Sequence, residues 1–278
     1  MTVFQAIILG IIQGFTEFLP VSSSAHVQIA TELFGIKGLS DKNSATTAFI
    51  ATIQLGTEAA VLIYFAKDIL RLIKAFFKGL FQPANRSQDF KLAVFVLIAS
   101  IPVGLAGLLF RNFFQETVRT LWVVAFTMII FAVVLYIADR YSLKGKSIKE
   151  MDLRSSLIFG FGQMLALFPG VSRSGASISF GLFAGFNRAT AARFSFLIGI
   201  PAVLASGLIE FKDSYANLDT SQLTGTLLAT ATSFVVGYLV IAGLLKYLNK
   251  GSFLPFVIWR LIVGVALIYL LSAGLISA

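Results

Sequence analysis

Six stretches of this chain stay apolar for about twenty residues or more, at roughly 45–66, 90–110, 118–138, 191–210, 223–247 and 254–276. A helix of that length crosses the hydrocarbon core of a bilayer, where every backbone N–H and C=O must be paired within the segment. The constraint selects an all-α, polytopic membrane protein with about six transmembrane helices. Composition agrees: 57% of the residues are hydrophobic and 13% charged, where a soluble domain carries roughly 25% charged residues. The absence of cysteine excludes disulfides, thiolate chemistry and Cys-ligated metal. Met1 to Gly14 is apolar but lacks a basic leader and a small-residue cleavage site, so it reads as mature sequence rather than a signal peptide.

Two further apolar regions, 3–35 and 152–187, are interrupted in the middle by Pro and Ser clusters, and each half is too short to span. They read as re-entrant helix pairs, which are tolerated at membrane depth where protein or water shields the freed backbone. The two regions resemble each other. At an offset of 150, Ile8, Gly10, Gln13, Phe18, Val21, Ser22 and Ser24 match Ile158, Gly160, Gln163, Phe168, Val171, Ser172 and Ser174. Three full spans lie between the pairs, so the second enters from the opposite side. The whole of 1–278 therefore reads as one membrane domain containing inverted repeats, about 3–110 and 152–247, whose broken elements meet near the midplane.

Charge sets the orientation. On this topology Lys and Arg at 67, 71, 74, 78, 86, 91, 140, 144, 146, 149, 154, 188, 193, 246 and 250 share one side, and those at 37, 42, 111, 119 and 212 the other, fifteen against five. The rich side is cytoplasmic by the positive-inside rule, which puts both termini and the mouth of the first re-entrant pair outside. The net charge of +9 is accounted for by these loops, without a nucleic-acid partner. Asp68 to Phe81, with Arg71, Lys74 and Lys78 at helical spacing among Leu, Ile and Phe, reads as a basic amphipathic segment on the cytoplasmic surface.

The polar residues inside the apolar frame fall into two clusters. The first is the run QGFTEFLPVSSSAH, holding Gln13, Glu17, Ser22, Ser23, Ser24 and His26. Gln13 and Glu17 share a helix face, Pro20 ends that helix, and a serine after the break is a natural N-cap for the next. Capping alone is the plain reading of the serines. His26, the chain's single histidine, falls on one helical face with Ser22 and Ser23, a pairing that activates a weak nucleophile; hydrogen bonding to a carbonyl is the plain alternative. A carboxylate at Glu17 within hydrocarbon is costly and points to a role. The second cluster, PGVSRSGAS at 169–177, combines close backbone approach at Gly170 and Gly175, hydroxyls at Ser172 and Ser174, and the forked guanidinium of Arg173. A helix starting near Ser174 would add free N–H groups, so the expected occupant is an anion; an ion pair between Arg173 and Glu17 is the plain alternative. Glu58 in one span and Arg260 in the last are expected to form an interhelical ion pair or to serve a function, and Gly199 with Pro201 to kink a span.

These motifs resemble those of the bacterial undecaprenyl-diphosphate phosphatases, the bacitracin-resistance family, over essentially the whole length. The carrying elements are Gln13 to His26 and Pro169 to Gly175. The resemblance implies removal of the terminal phosphate of undecaprenyl diphosphate, a divalent cation, Mg2+ or Ca2+, and a site facing the periplasm of a bacterial inner membrane. Carried over by position, Glu17, Ser23, His26 and Arg173 form the catalytic core. Gln13 takes the first acidic-or-amide position, so Glu17 and Gln13 are the metal candidates, with Gln13 offering a carbonyl where the family also uses Glu. Gln13, Ser22, Ser24, Ser172, Ser174 and Gly175 are expected to line the substrate. Either Ser23 or a water attacks, with His26 as base. The partners implied are a polyprenyl diphosphate and the surrounding lipids; a homodimer stays open. The rival class is a transporter, in its sharpest form a lipid-phosphate flippase, because inverted broken-helix repeats are also a transporter's architecture.

Overall fold

The computed structural model describes residues 1–36, 45–110, 113–114, 120–141, 145–214 and 223–276. Of the charges counted above, Lys37, Lys42, Arg111, Arg119 and Lys144 lie outside the described residues, as does the side chain of Lys212. Eleven α-helices form, and no β-strand is present among the described residues: α1 (Val3–Phe18), α2 (Ser23–Leu33), α3 (Ala45–Tyr64), α4 (Ala66–Phe81), α5 (Gln88–Leu109), α6 (Leu121–Tyr141), α7 (Leu153–Met164), α8 (Arg173–Phe183), α9 (Arg188–Ser214), α10 (Leu223–Tyr247) and α11 (Leu254–Ser272). Among the described residues α5, α6, α10 and α11 are long and apolar enough to cross a membrane, and α3 with α4 meets the test as a pair bent by 69°. The remaining expected span is α9, which runs as one helix of 27 residues through Pro201. The chain is thus an all-α, multi-pass membrane protein.

Both interrupted regions form helix–break–helix elements, α1–α2 and α7–α8. Thr2 opens α1 with a capping box to Gln5, and the helix stops at Phe18 because Leu19 turns extended before Pro20. Asp152 caps α7 through the Ser155 N–H, and a short 3-10 turn at Leu165–Leu167 leads into the second break. Each break ends on a serine with φ near +74°, Ser22 and Ser172, whose side chain then caps the following helix. Positive φ in a residue with a Cβ costs roughly 1–3 kcal/mol, so both turns are held by their surroundings.

Backbone contact supplies that hold. A Cβ on Gly10 would stand 2.4 Å from the Ala229 carbonyl oxygen, and one on Gly160 would stand 2.5 Å from that of Ala99. The α1 helix therefore lies directly on α10, and α7 directly on α5, the small-residue packing that helices use when lipid removes the hydrophobic drive. Gly170, at φ +87°, brings its backbone against Thr127 and Val124 of α6, where a Cβ would sit 2.2 Å from Thr127 Oγ1. Thr127 Oγ1 in turn donates to the Pro169 carbonyl at 2.6 Å. Phe18 packs edge-on against Phe196, and Phe65 lies tilted against Phe196.

Candidate functional site

The two breaks meet on Glu17. Its Oε1 accepts from Arg173 Nη2 at 2.5 Å and its Oε2 accepts from Ser23 Oγ at 2.6 Å. Ser23 is the first residue of α2 and Arg173 the first residue of α8. A carboxylate on the last turn of α1 thus receives one donor from the start of each second helix. Gln13, one turn earlier on α1, donates from Nε2 to Glu17 Oε2 at 3.0 Å and lies 3.4 Å from Thr57 Oγ1 of α3. Glu17 is 10% exposed at its side chain and Arg173 26%, so the guanidinium is the more open end of the pair. Charge-assisted bonds this short are strong, and here they also neutralise a carboxylate that bare hydrocarbon would not accept.

The serine turns repeat one pattern. Ser22 Oγ lies 3.2 Å from Ser24 Oγ and accepts from the Ala25 N–H; Ser172 Oγ lies 3.2 Å from Ser174 Oγ and accepts from the Gly175 N–H at 3.1 Å. Ser174 Oγ then donates across to the Leu19 carbonyl at 3.1 Å, tying the second turn to the first. The capping role read from the sequence for the first cluster is real for Ser22, and Ser172 caps in the same way, while Ser23, Ser24 and Ser174 keep their hydroxyls for other partners. Glu17, Arg173 and Ser174 border a cleft with Ser195, Phe196 and Gly199 of α9, and its enclosed space of about 10 Å³ is no larger than one water. Ser195, which meets Ser177 Oγ at 2.5 Å, carried no sequence signal beyond being a serine in an apolar span.

His26 is placed differently from the expected pairing. Its Nε2 accepts from the Trp259 indole N–H at 2.7 Å, and its Nδ1 lies 2.7 Å from the Ser22 carbonyl. An indole nitrogen can only donate, so Nε2 carries the lone pair and Nδ1 the proton. The two ring planes lie within 13° of parallel with centroids 6.0 Å apart, so the rings meet edge to edge through this bond. The Ser23 hydroxyl is directed at Glu17 and not at His26. Trp259, on the outer face of the last helix and far away in sequence, was not legible as a site residue.

Arg260 follows Trp259 and is fully buried. The ion pair expected with Glu58 is not what holds it. Its guanidinium donates to main-chain carbonyls: Pro20 at 3.2 Å, Gly170 at 2.9 Å, Met128 at 3.1 Å and Thr127 at 3.4 Å. Among the described residues no group of three or more His, Asp or Glu side chains could enclose a metal. The donor set at the site is one carboxylate, one amide and hydroxyls. That set suits a hard cation which takes most of its oxygens from water and a phosphate ligand.

Fold and site together define a polytopic helical membrane protein with a polar site built where two broken helical elements meet. The chain belongs to the bacitracin resistance protein BacA family, whose model matches residues 6–266. It is 45% identical over 281 residues to the undecaprenyl-diphosphatase of Mycolicibacterium smegmatis, an alignment covering 100% of both chains. The undecaprenyl-diphosphatase of Corynebacterium diphtheriae is 43% identical over 276 residues, covering 99% of this chain and 96% of the relative.

Proposed function

We propose that this protein hydrolyses undecaprenyl diphosphate to undecaprenyl phosphate and inorganic phosphate, with Ser23, Glu17 and Arg173 as the reacting centre. The observation that carries the reading is the single chain of bonds Ser23 Oγ to Glu17 to Arg173, spanning the first residues of α2 and α8. A serine hydroxyl bonded to a carboxylate, beside a guanidinium and a helix N-terminus, is what attack on a phosphate anhydride needs.

Phosphoryl transfer asks mainly for positioning and for neutralisation of charge spread over the phosphate oxygens. The terminal phosphate enters between Arg173 and the α8 N-terminus, and the guanidinium moves part of its bonding from Glu17 to phosphate oxygens. Glu17 Oε2 then takes the Ser23 proton as Oγ attacks the terminal phosphorus. The bond from that phosphorus to the bridging oxygen breaks, releasing the lipid monophosphate. Water cleaves the resulting phosphoserine, giving inorganic phosphate and restoring the hydroxyl. His26, held by Trp259 and the Ser22 carbonyl, braces the start of α2 in this scheme. A divalent cation, Mg2+ or Ca2+, would be held by Glu17 and the Gln13 amide oxygen together with the diphosphate, and when bound it supplies positive charge to the anhydride. The apolar surface around the breaks takes the isoprenoid tail.

The site is assigned to the periplasmic side of a bacterial inner membrane, which makes the enzyme a recycler of the cell-wall lipid carrier. Consuming the lipid diphosphate would also confer resistance to bacitracin. The test is phosphate release from a long-chain polyprenyl diphosphate by detergent-purified protein, with and without EDTA, beside folded Arg173→Ala. We expect metal-dependent release that the variant loses by about 1,000-fold or more. No release from folded wild type would overturn the reading in favour of a lipid-phosphate transporter.

A further inference from the structure

The mechanism leaves the buried guanidinium behind the site unused. We propose that Arg260 is a positioning residue that holds the two serine turns in mutual register; the inference rests on the phosphatase reading and extends it. The two turns correspond at an offset of 150, and so do the residues that touch at the site. At the front, Ser23 and Arg173 meet on the two oxygens of Glu17. At the back, the carbonyls of Pro20 and Gly170 meet on the two terminal nitrogens of Arg260, at 3.2 Å and 2.9 Å. Each meeting joins equivalent positions of the two elements, three residues apart along each chain.

The remaining donors of the same side chain bond the Met128 and Thr127 carbonyls of α6. One planar fork from α11 thus ties both breaks to α6, which itself touches the second break through Thr127 Oγ1 and Pro169. The chemistry explains why the residue is arginine. Burying a cation is costly, and among the described residues its hydrogen bonds all go to main-chain oxygens rather than to a carboxylate. An aliphatic side chain would fill the same space without that cost. Only a guanidinium offers several donors in fixed directions, enough to satisfy carbonyls of three segments at once. The Pro20 and Gly170 carbonyls belong to chain that has left helical geometry, where φ is +74° at Ser22 and +87° at Gly170, so they need partners from elsewhere. If the clamp is lost, Ser23 and Arg173 no longer arrive at Glu17 together.

Full-length wild type, Arg260→Met and Arg260→Lys are compared in detergent for release of phosphate from a polyprenyl diphosphate. Folded protein is quantified by gel filtration and thermal melting, and rates are expressed per folded molecule. Methionine keeps the volume without the charge; lysine keeps the charge without the fork. We expect kcat to fall about 100-fold in both, the size of loss that a misplacement of about 1 Å produces. KM is expected to change by less than about threefold, because the groups that touch the substrate remain. A folded variant with wild-type kcat, or a loss fully accounted for by unfolded protein, would overturn the clamp. Absence of release from wild type would instead overturn the phosphatase reading, and the clamp with it.

Discussion

Ser23 and His26 sit one helical turn apart, yet their hydroxyl and imidazole serve different partners. Helical spacing brought them to one face, as the sequence implied, but rotamer and neighbours decided the bonds. Glu17 takes the Ser23 proton donor at 2.6 Å, and Trp259 occupies the imidazole lone pair at 2.7 Å. The consequence is a ranking of variants. Ser23→Ala removes the nucleophile and is expected to lower kcat/KM by about 1,000-fold or more. Trp259→Phe keeps an aromatic ring at the position but deletes one neutral hydrogen bond, a change of about 1 kcal/mol and so at most roughly tenfold. Rates on detergent-solubilised variants check this, and equal losses in the two would place His26, not Glu17, as the base. Gln13 belongs at this scale too: its amide bonds Glu17 as the i, i+4 spacing suggested, while its second contact, with Thr57, comes from another helix and left no trace in the local sequence.

At the scale of elements, the broken helices follow from local chemistry. Pro20 and the serine caps end and restart the chain where the sequence said they would, and α8 restarts at Arg173, the counterpart of Ser23, after a longer break that follows Met164. What the local sequence left open is how non-glycine residues come to hold positive φ at Ser22 and Ser172. The close backbone approaches of Gly10, Gly160 and Gly170 answer that, because they press each element against a long helix. Gly170→Ala puts a Cβ 2.2 Å from Thr127 Oγ1 and 2.7 Å from the Val124 carbonyl at a φ of +87°. Overpacking with backbone strain costs roughly 2–5 kcal/mol in sum, so the variant is expected to melt well below wild type in a detergent thermal-shift assay. A melting temperature within a degree of wild type would show that the break relaxes freely. The α4 helix is the other element the pattern foretold. It turns 69° from α3 with Asp68 bonded to Arg71 at 3.0 Å and to Arg193 of α9, while Phe77, Leu80 and Phe81 remain exposed. That combination suits a helix lying along a lipid surface.

For the whole molecule, the packing is reciprocal. The first broken element lies on α10, a helix late in the chain, through Gly10 and Ala229; the second lies on α5, a helix early in the chain, through Gly160 and Ala99. Each half therefore completes the other, and neither broken element has its supporting helix beside it in sequence. Orientation in the bilayer is tested readily because the chain lacks cysteine. Lys149→Cys marks the basic side and Ala273→Cys, after α11, the opposite side. In intact cells stripped of the outer barrier, a membrane-impermeant maleimide is expected to label position 273 and to reach position 149 only after lysis. The reverse pattern would place the site on the cytoplasmic side.

The sequence by itself determined the helical membrane class, the two breaks, their matching residues and the polar groups they carry. Each of these depends on chain-local properties: hydrocarbon thickness sets helix length, proline and serine chemistry sets the breaks, and helical periodicity puts neighbours on one face. Tertiary structure decided the partners. Glu17 with Arg173, Trp259 with His26, and Arg260 with the Pro20 and Gly170 carbonyls are separated by 156, 233, 240 and 90 positions. A hydrogen bond reaches only about 3 Å, so which of several buried polar groups it joins is settled when the helices pack.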